Sequence, residues 1–397
     1  MLLRFSLYGF LKNQRYFEPF LLLVFLEKGL DFYEVGLLIG FRDLLVTLLE
    51  IPSGAIADVL GRRLSMVASF AAYIVSFALF ALAEDILLLT LAMAFFAVGE
   101  AFRTGTHKAM IFSWLRSQGR EHERTRIYGI TRSWSKFGSA VSSLIAAGLV
   151  LWSGHYSTIF LLTIPAYVLD MLNVGTYPRS VEGAASSRSP REVVSVTVAT
   201  LRHAVRHPPL RRLMLESAGF EGLFHSIKDY LQPVLVAAAV VLLLEGREAL
   251  LIGVVYAALF LLAGAASRRA HRMVKAAGSE DAAARRLWGG AIPLFGVMAL
   301  AGWMDWSWLL VAAFVLLHIL QNLWRPVLVS RFDDHADPAH GATVLSVESQ
   351  SRRLATVVAA PLIGLAVDAS GAFWPLGVAG LASAVFFFGT SPRRSSP

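Results

Sequence analysis

Runs of about twenty apolar residues, each closed by a short polar stretch, follow one another along the whole chain. At a helical rise of about 1.5 Å per residue, such a run crosses the roughly 30 Å hydrocarbon core of a bilayer. The runs are continuous and show no strict alternation, so they predict helices and not the strands of a barrel. Twelve spans are expected, at about 3–27, 35–60, 64–83, 86–112, 127–152, 156–177, 212–243, 248–267, 286–303, 306–330, 342–367 and 372–390. One polar interruption is much longer than the others. It opens with the Ser-, Arg- and Gly-rich run SVEGAASSRSPRE and continues as an amphipathic segment around Val193 to Val205. The chain is therefore expected to divide into a six-helix bundle at 1–177, a cytoplasmic linker with a short surface helix at 178–211, and a second six-helix bundle at 212–397.

Composition agrees with an all-α integral membrane protein. Hydrophobic residues make up 56% and charged residues 16% of the 397, and mean hydropathy is +0.59. A net charge of +8 would elsewhere point to nucleic acid. Here the basic residues sit in short loops, which makes orientation the better explanation. Arg62 and Arg63, the group from Arg116 to Arg126, Arg179 through Arg212, Arg268 through Arg286, and Arg393 with Arg394 all fall on one side. The other side holds little beyond Lys28 and Arg247, among Asp31, Glu34, Glu84, Asp85, Asp305 and Asp368. The positive-inside rule then places both termini in the cytoplasm and the spans in the inner membrane. Lys12, Gln14, Arg15 and Glu18 interrupt the first apolar segment, so it reads as a membrane helix and not as a cleavable signal. There is no cysteine, which removes disulfides, thiolate metal sites and thiol nucleophiles from consideration.

The halves carry marks of a duplication. Pro19 corresponds to Pro233 at an offset of about 214, Gly54 and Arg62 to Gly264 and Arg272 near 210, and Ser153-Gly154 with Lys136 to Ser370-Gly371 with Arg353 at about 217. Duplication of a six-span unit predicts such pairs.

Between the second and third spans lies GAIADVLGRR, Gly54 to Arg63: a lone acid, Asp58, followed by a Gly61-Arg62-Arg63 turn. This loop, with the preceding LLEIPSGAIAD, resembles the loop joining helices 2 and 3 of the major facilitator superfamily, and in particular bacterial members described as efflux or uncharacterised permeases. The resemblance implies two pseudo-symmetric six-helix bundles that rock about a central cavity. It implies a gating role for Gly54, Asp58, Gly61, Arg62 and Arg63, in which the acid braces the cytoplasmic helix ends. Glu50, two turns before Asp58, is a further gate candidate. In the second half Arg268 stands where Asp58 would repeat.

Charges inside spans cost about 2.5–3.5 kcal/mol each on insertion scales, so they face a cavity or a partner. Span 1 carries Lys12, Arg15 and Glu18 at three-residue spacing on one helix face, with Arg15 and Glu18 placed to pair. Span 4 has Glu100, Arg103 and His107. Span 7 has Glu221, His225 and Asp229 as a stripe, with Lys228 and Gln232 beside it. Span 10 offers Gln321, Asn322 and Arg325, and span 11 Glu348, Arg352 and Arg353. By the resemblance, spans 1, 4, 7 and 10 line the cavity. Arg15, Glu18, Glu100, Arg103, His225, Lys228, Asp229, Gln321, Asn322 and Arg325 are accordingly the candidates for substrate binding and proton coupling. Glu18, Glu100 and Asp229 lead for the proton, since coupling needs an acid whose affinity a neighbour can shift. Lys12, Arg132, Lys136 and Glu348 read as residues near the cytoplasmic ends that snorkel or pair. The surplus of bases suits an anionic or zwitterionic solute.

There is no G-x-x-x-x-G-K-[ST] loop, no H-E-x-x-H and no nucleophile elbow, so ATP-driven transport and hydrolysis have no support. The expected function is alternating-access, proton-coupled transport of a small organic solute, export before uptake, by a monomer without cofactor, metal or nucleic acid. A facilitator or importer of sugars or metabolites is the nearest alternative, with Trp324, Asn322 and Gln321 as its evidence. A non-transporting sensor or a lipid enzyme is the more distant one.

Overall fold

A computed structural model of the chain describes residues 1–182, 195, 202, 205–244, 246–335 and 341–390, without the side chains of 51, 55, 58–60, 125, 335 and 341–345. Most of the expected linker, including nearly all of its amphipathic segment, lies outside the described residues. Among those described, every regular element is helical. Span 1 comprises α1 (Leu2–Leu11) and α2 (Leu21–Glu27). Spans 2 and 3 are α3 (Phe32–Leu60) and α4 (Arg62–Leu82); span 4 comprises α5 (Ile86–Arg103) and α6 (Thr106–Ser117). Spans 5 and 6 are α7 (Arg124–Ser153) and α8 (Thr158–Gly175). Span 7 runs through α9 (Pro208–Ser217), a π turn at Ala218–Gly222, α10 (Leu223–Ile227), a 3₁₀ turn at Lys228–Tyr230 and α11 (Leu231–Val241). The last five spans are α12 (Glu248–Ala277), α13 (Glu280–Trp303), α14 (Ser307–His335), α15 (Gly341–Ser370) and α16 (Trp374–Thr390).

Among the described residues, seven of these spans, span 4 with its break included, are long and apolar enough to cross a bilayer. The remaining five depart from that form for local reasons. Spans 1 and 7 are broken, α3 and α13 carry several charges, and α16 has only 17 residues.

Packing divides the chain into two units, one of Met1–Gly29, Phe41–Ser195 and Ala249–Phe260, the other of Leu30–Gly40, Val196–Glu248 and Leu261–Pro397. Their internal turns repeat. Gly29, Gly61 and Gly154 have φ of +85°, +95° and +74°; Gly246, Gly278 and Gly371, each 217 residues later, have +76°, +87° and +62°. Glycine populates that region at no steric cost, so turn geometry ties the residue to the position. The serine before each glycine of the last pair also makes the same bonds. Ser153 Oγ donates to the His155 carbonyl at 3.0 Å and accepts from the His155 amide at 3.4 Å; Ser370 does so with Ala372 at 3.1 and 3.4 Å. The offset of 217 therefore holds through the turns, and the alignment of Gly54 on Gly264 near 210 is corrected. Neither of those glycines is held by a close neighbour or a positive φ. With the corrected offset Lys275, not Arg268, stands at the position of Asp58.

Lipid tails leave helices little hydrophobic reason to associate, so close backbone approach at small residues carries the packing. In the first unit a Cβ on Gly9 would sit 2.7 Å from the Thr131 carbonyl oxygen, and one on Gly138 2.7 Å from that of Phe10, which seats α1 on α7. Ser69 and Ser76 of α4 donate to the carbonyls of Gly99 and Ala92 on α5 at 2.6 and 2.8 Å. In the second unit α16 lies on α13 where a Cβ on Gly377 would meet the Ala299 amide nitrogen at 2.1 Å. At one span end, Lys28 donates to the Ala83 carbonyl at 2.6 Å, and burial there pulls its ammonium below the usual lysine range.

Candidate functional site

Polar chemistry gathers where the spans stop being α-helical. Residues 12–20 leave the helix between α1 and α2. Asn13 and Gln14 side-chain amides donate to the Gly9 and Phe10 carbonyls at 2.6 and 3.2 Å, so carbonyls near the end of α1 gain partners inside an apolar bundle. Span 4 breaks at Thr104–Gly105, with Gly105 at φ +79°. The expected face of Lys12, Arg15 and Glu18 on one helix is corrected accordingly, because no helix runs through them. The same holds for span 7, where a π turn and a 3₁₀ turn interrupt the stripe of Glu221, His225 and Asp229.

In the first unit the Glu100 carboxylate is the centre. It pairs with Arg103 one turn on and with Arg15 at 3.3 Å, and accepts from the Tyr73 hydroxyl. Arg103 Nε in turn donates to the Tyr73 oxygen at 3.2 Å. Arg15 thus finds an acid on span 4, whereas the sequence placed Glu18 beside it. Glu18 is half-buried in the broken stretch, within electrostatic range of Lys136. Asp170 on α8 is fully buried, bonded by Asn173 at 3.3 Å through one oxygen.

Beside this lattice lies a cavity of about 340 Å³, lined among others by Tyr8, Lys12, Arg103, His107, Lys108, Tyr128, Arg132 and Lys136. Tyr8 and His107 stack at 3.5 Å between centroids, and His107 Nε2 lies 3.3 Å from the Tyr177 hydroxyl. Lys12, Arg132 and Lys136, expected near the span ends, line this cavity.

In the second unit several charges are paired. Arg325 donates twice to Glu348, at 2.7 and 2.9 Å, and Glu348 also accepts from Ser217 at 2.5 Å. Glu348 is completely buried and pairs, one of the two parts expected of it. Lys228 pairs with Asp229 at 2.6 Å, and Arg352 lies 3.0 Å from His225 Nε2. Glu221, also completely buried, accepts from the Gln321 amide at 3.3 and 3.1 Å, and Asn322 donates to Gln321 at 2.9 Å. Glu221 enters no salt bridge among the described residues. Trp324 is buried against Phe220 and Trp288, at 5.1 and 5.0 Å between centroids. It is a core residue and offers no aromatic surface to a sugar.

At the loop between α3 and α4, Arg62 donates to Ser113 at 2.6 Å and Arg63 to the Tyr177 carbonyl at 3.0 Å, while the Arg63 amide donates to Glu182 at 3.2 Å. Gly61 packs on the Glu182 carboxylate, Gly54 is exposed, and Glu50 is half-buried. The Asp58 side chain lies outside the described residues. Sequence reasoning passed over Tyr73, Asp170 and the buried pair of Glu216 with Arg331, at 2.6 Å, which Arg331 extends to the exposed Asp281 at 2.7 Å. Glu216 and Arg331 stand near span ends, where charge is ordinary; only a count of residues from the turns would have shown them inside.

The family model of the Major Facilitator Superfamily matches residues 13–347. The "Multidrug resistance protein MdtH" of Yersinia enterocolitica is 30% identical over 122 residues, which is 31% of this chain and 29% of that protein; the Yersinia pestis protein of that name matches equally. The chain thus spans less than a third of the length of the curated relatives it matches. Among solved structures, the nucleoside transporter NupG superposes with a TM-score of 0.76 over 97% of this chain and 95% of its own, at 11% identity. A POT family transporter in complex with a thioalcohol-conjugated peptide does so with 0.72 over 98% and 96%, at 16%. At such identities the likeness is one of fold.

Proposed function

The chain belongs to the Major Facilitator Superfamily and is a membrane transporter, not an enzyme; from that premise we propose that it exports a small organic solute by proton-linked alternating access. The halves 1–177 and 212–397 are the moving bodies in this reading, joined by the linker 178–211. The Gly54–Arg63 loop, with Glu50, is the gate, by the family resemblance. Support for export is the partial similarity to MdtH, a multidrug resistance protein. Support for an inner-membrane position with cytoplasmic termini is the one-sided distribution of arginines.

One observation carries the coupling: Glu221, completely buried in the π turn of span 7, held by an amide of span 10 and free of salt bridges among the described residues. Arg325 and Arg352 act on this carboxylate only from beyond ion-pair distance, so no fixed cation holds it. Interrupted spans are also where secondary transporters place their coupling groups. Glu100 and Asp229, each beside a cation, are assigned a different part: holding Arg15, Arg103 and Lys228 in place until solute or conformational change competes for them. The test is flux into proteoliposomes under an imposed pH gradient, over a panel of anionic, zwitterionic and cationic solutes. Glu221→Gln keeps shape and downhill flux but loses dependence on the gradient. Retention of that dependence rejects Glu221 as the proton carrier.

A further inference from the structure

We propose that the cavity in the first unit binds a small organic oxyanion, a carboxylate or a phosphate monoester; this rests on the transporter reading and names its solute class. Five cations line the cavity, Lys12, Arg103, Lys108, Arg132 and Lys136, and no carboxylate does. Arg103 already pairs with Glu100, a carboxylate it shares with Arg15. The other four enter no salt bridge among the described residues, and Lys108 rests over the rings of Phe112 and Tyr128, at 5.6 and 5.4 Å. Four like charges around one space repel one another, and two of them, Lys12 and Lys136, are half-buried. An anion entering that space relieves the repulsion.

Two further features point the same way. The first turn of α6, the C-terminal piece of the broken span 4, opens on the cavity at Gly105, His107 and Lys108, and no side chain caps it. A helix N-terminus of this kind presents amides and the positive end of a dipole, which in interrupted membrane helices faces anionic solute groups. The neighbouring hydroxyls of Thr131, Ser135 and Ser139 donate to carbonyls of their own helix, at 2.9, 3.2 and 3.2 Å. Those three hydroxyls are spent, whereas Lys12, Lys108, Arg132 and Lys136 enter no salt bridge among the described residues, Lys136 standing in electrostatic range of Glu18. At about 340 Å³ the space is near the lower end for small-molecule sites, which favours a compact solute over a bulky drug.

The experiment measures binding to the purified full-length chain by calorimetry and thermal unfolding, with four ring compounds of similar size: benzoate, phenyl phosphate, benzyl alcohol and benzylammonium. One or both anions bind and raise Tm, and which of them binds distinguishes carboxylate from phosphate recognition; the neutral and cationic compounds do not bind at the same concentration. Lys12→Gln and Lys136→Gln each weaken anion binding at least about tenfold, without lowering the Tm of the unliganded protein, since each removes repulsion. Lys136→Arg restores binding to within about threefold on the same charge argument. Benzylammonium binding as tightly as benzoate, or anion binding indifferent to both lysine changes, overturns the proposal. Gradient-driven flux of a cation such as ethidium without anion binding removes the oxyanion site and leaves the transporter standing. Anion binding in the absence of flux for any solute removes the transporter reading and leaves the site.

Discussion

Glu100 and Glu221 show how little a residue's type says about its part. Both are acids deep in polar-interrupted spans, yet one is clasped by two arginines and a tyrosine and the other only by an amide. Their variants separate accordingly. Glu100→Gln leaves Arg15 and Arg103 without their counter-charge in a largely buried setting, and a broken buried pair costs about 3 kcal/mol. The expected outcome is a clear drop in Tm in detergent; an unchanged Tm would mean that the pairs contribute no stability. Glu221→Gln preserves volume and an amide partner, so its Tm stays within about 1 kcal/mol of the parent's equivalent. The charges themselves were legible in the sequence, because a charge amid twenty apolar residues stands out. Their partners were not: Arg15 lies 85 positions from Glu100 and Arg325 lies 23 from Glu348, and helix rotation decides such meetings. Asp170 and Tyr73 escaped notice for a related reason, since a single acid or phenol within a span has no pattern to announce it.

Among the elements, the continuous spans follow closely from hydropathy, while the breaks in spans 1, 4 and 7 do not. Lys12, Arg15 and Glu18 keep perfect helical spacing over a stretch that is not helical. Pro19 offers a partial cue, since it has no amide to donate. In the other two spans the cue is weaker, a Thr-Gly pair and a Gly-Phe-Glu-Gly run. Helix contacts are governed by glycine, and this yields a sharp expectation. A methyl on Gly377 would collide with the Ala299 backbone, so Gly377→Ala forces α16 off α13 and costs at least about 2 kcal/mol. Thermal unfolding checks it, with Gly148→Ala as a control, because nothing lies within 4 Å of that position. Equal loss at both sites would show that the close approach is not what holds the pair.

For the whole molecule, twelve spans in two related halves were legible from hydrophobic run length and charge sidedness, and the turns now carry the relation more firmly than the spans do. Glycines with positive φ recur 217 residues apart at three turns, because a turn constrains backbone conformation while lipid-facing surfaces tolerate any apolar residue. The chemistry has not kept the symmetry: one unit holds a cavity lined by five cations and no carboxylate, and in the other Arg325 and Arg331 pair with buried acids. That asymmetry is what an anion site in one half and a proton site in the other require. The most direct measurement is uptake of labelled phenyl phosphate, whose charge keeps it from crossing lipid unaided, into proteoliposomes with an acid lumen. Proton-linked export predicts accumulation above the external concentration, collapsed by a protonophore and absent with Glu221→Gln. Accumulation that survives both the protonophore and the substitution would contradict the account.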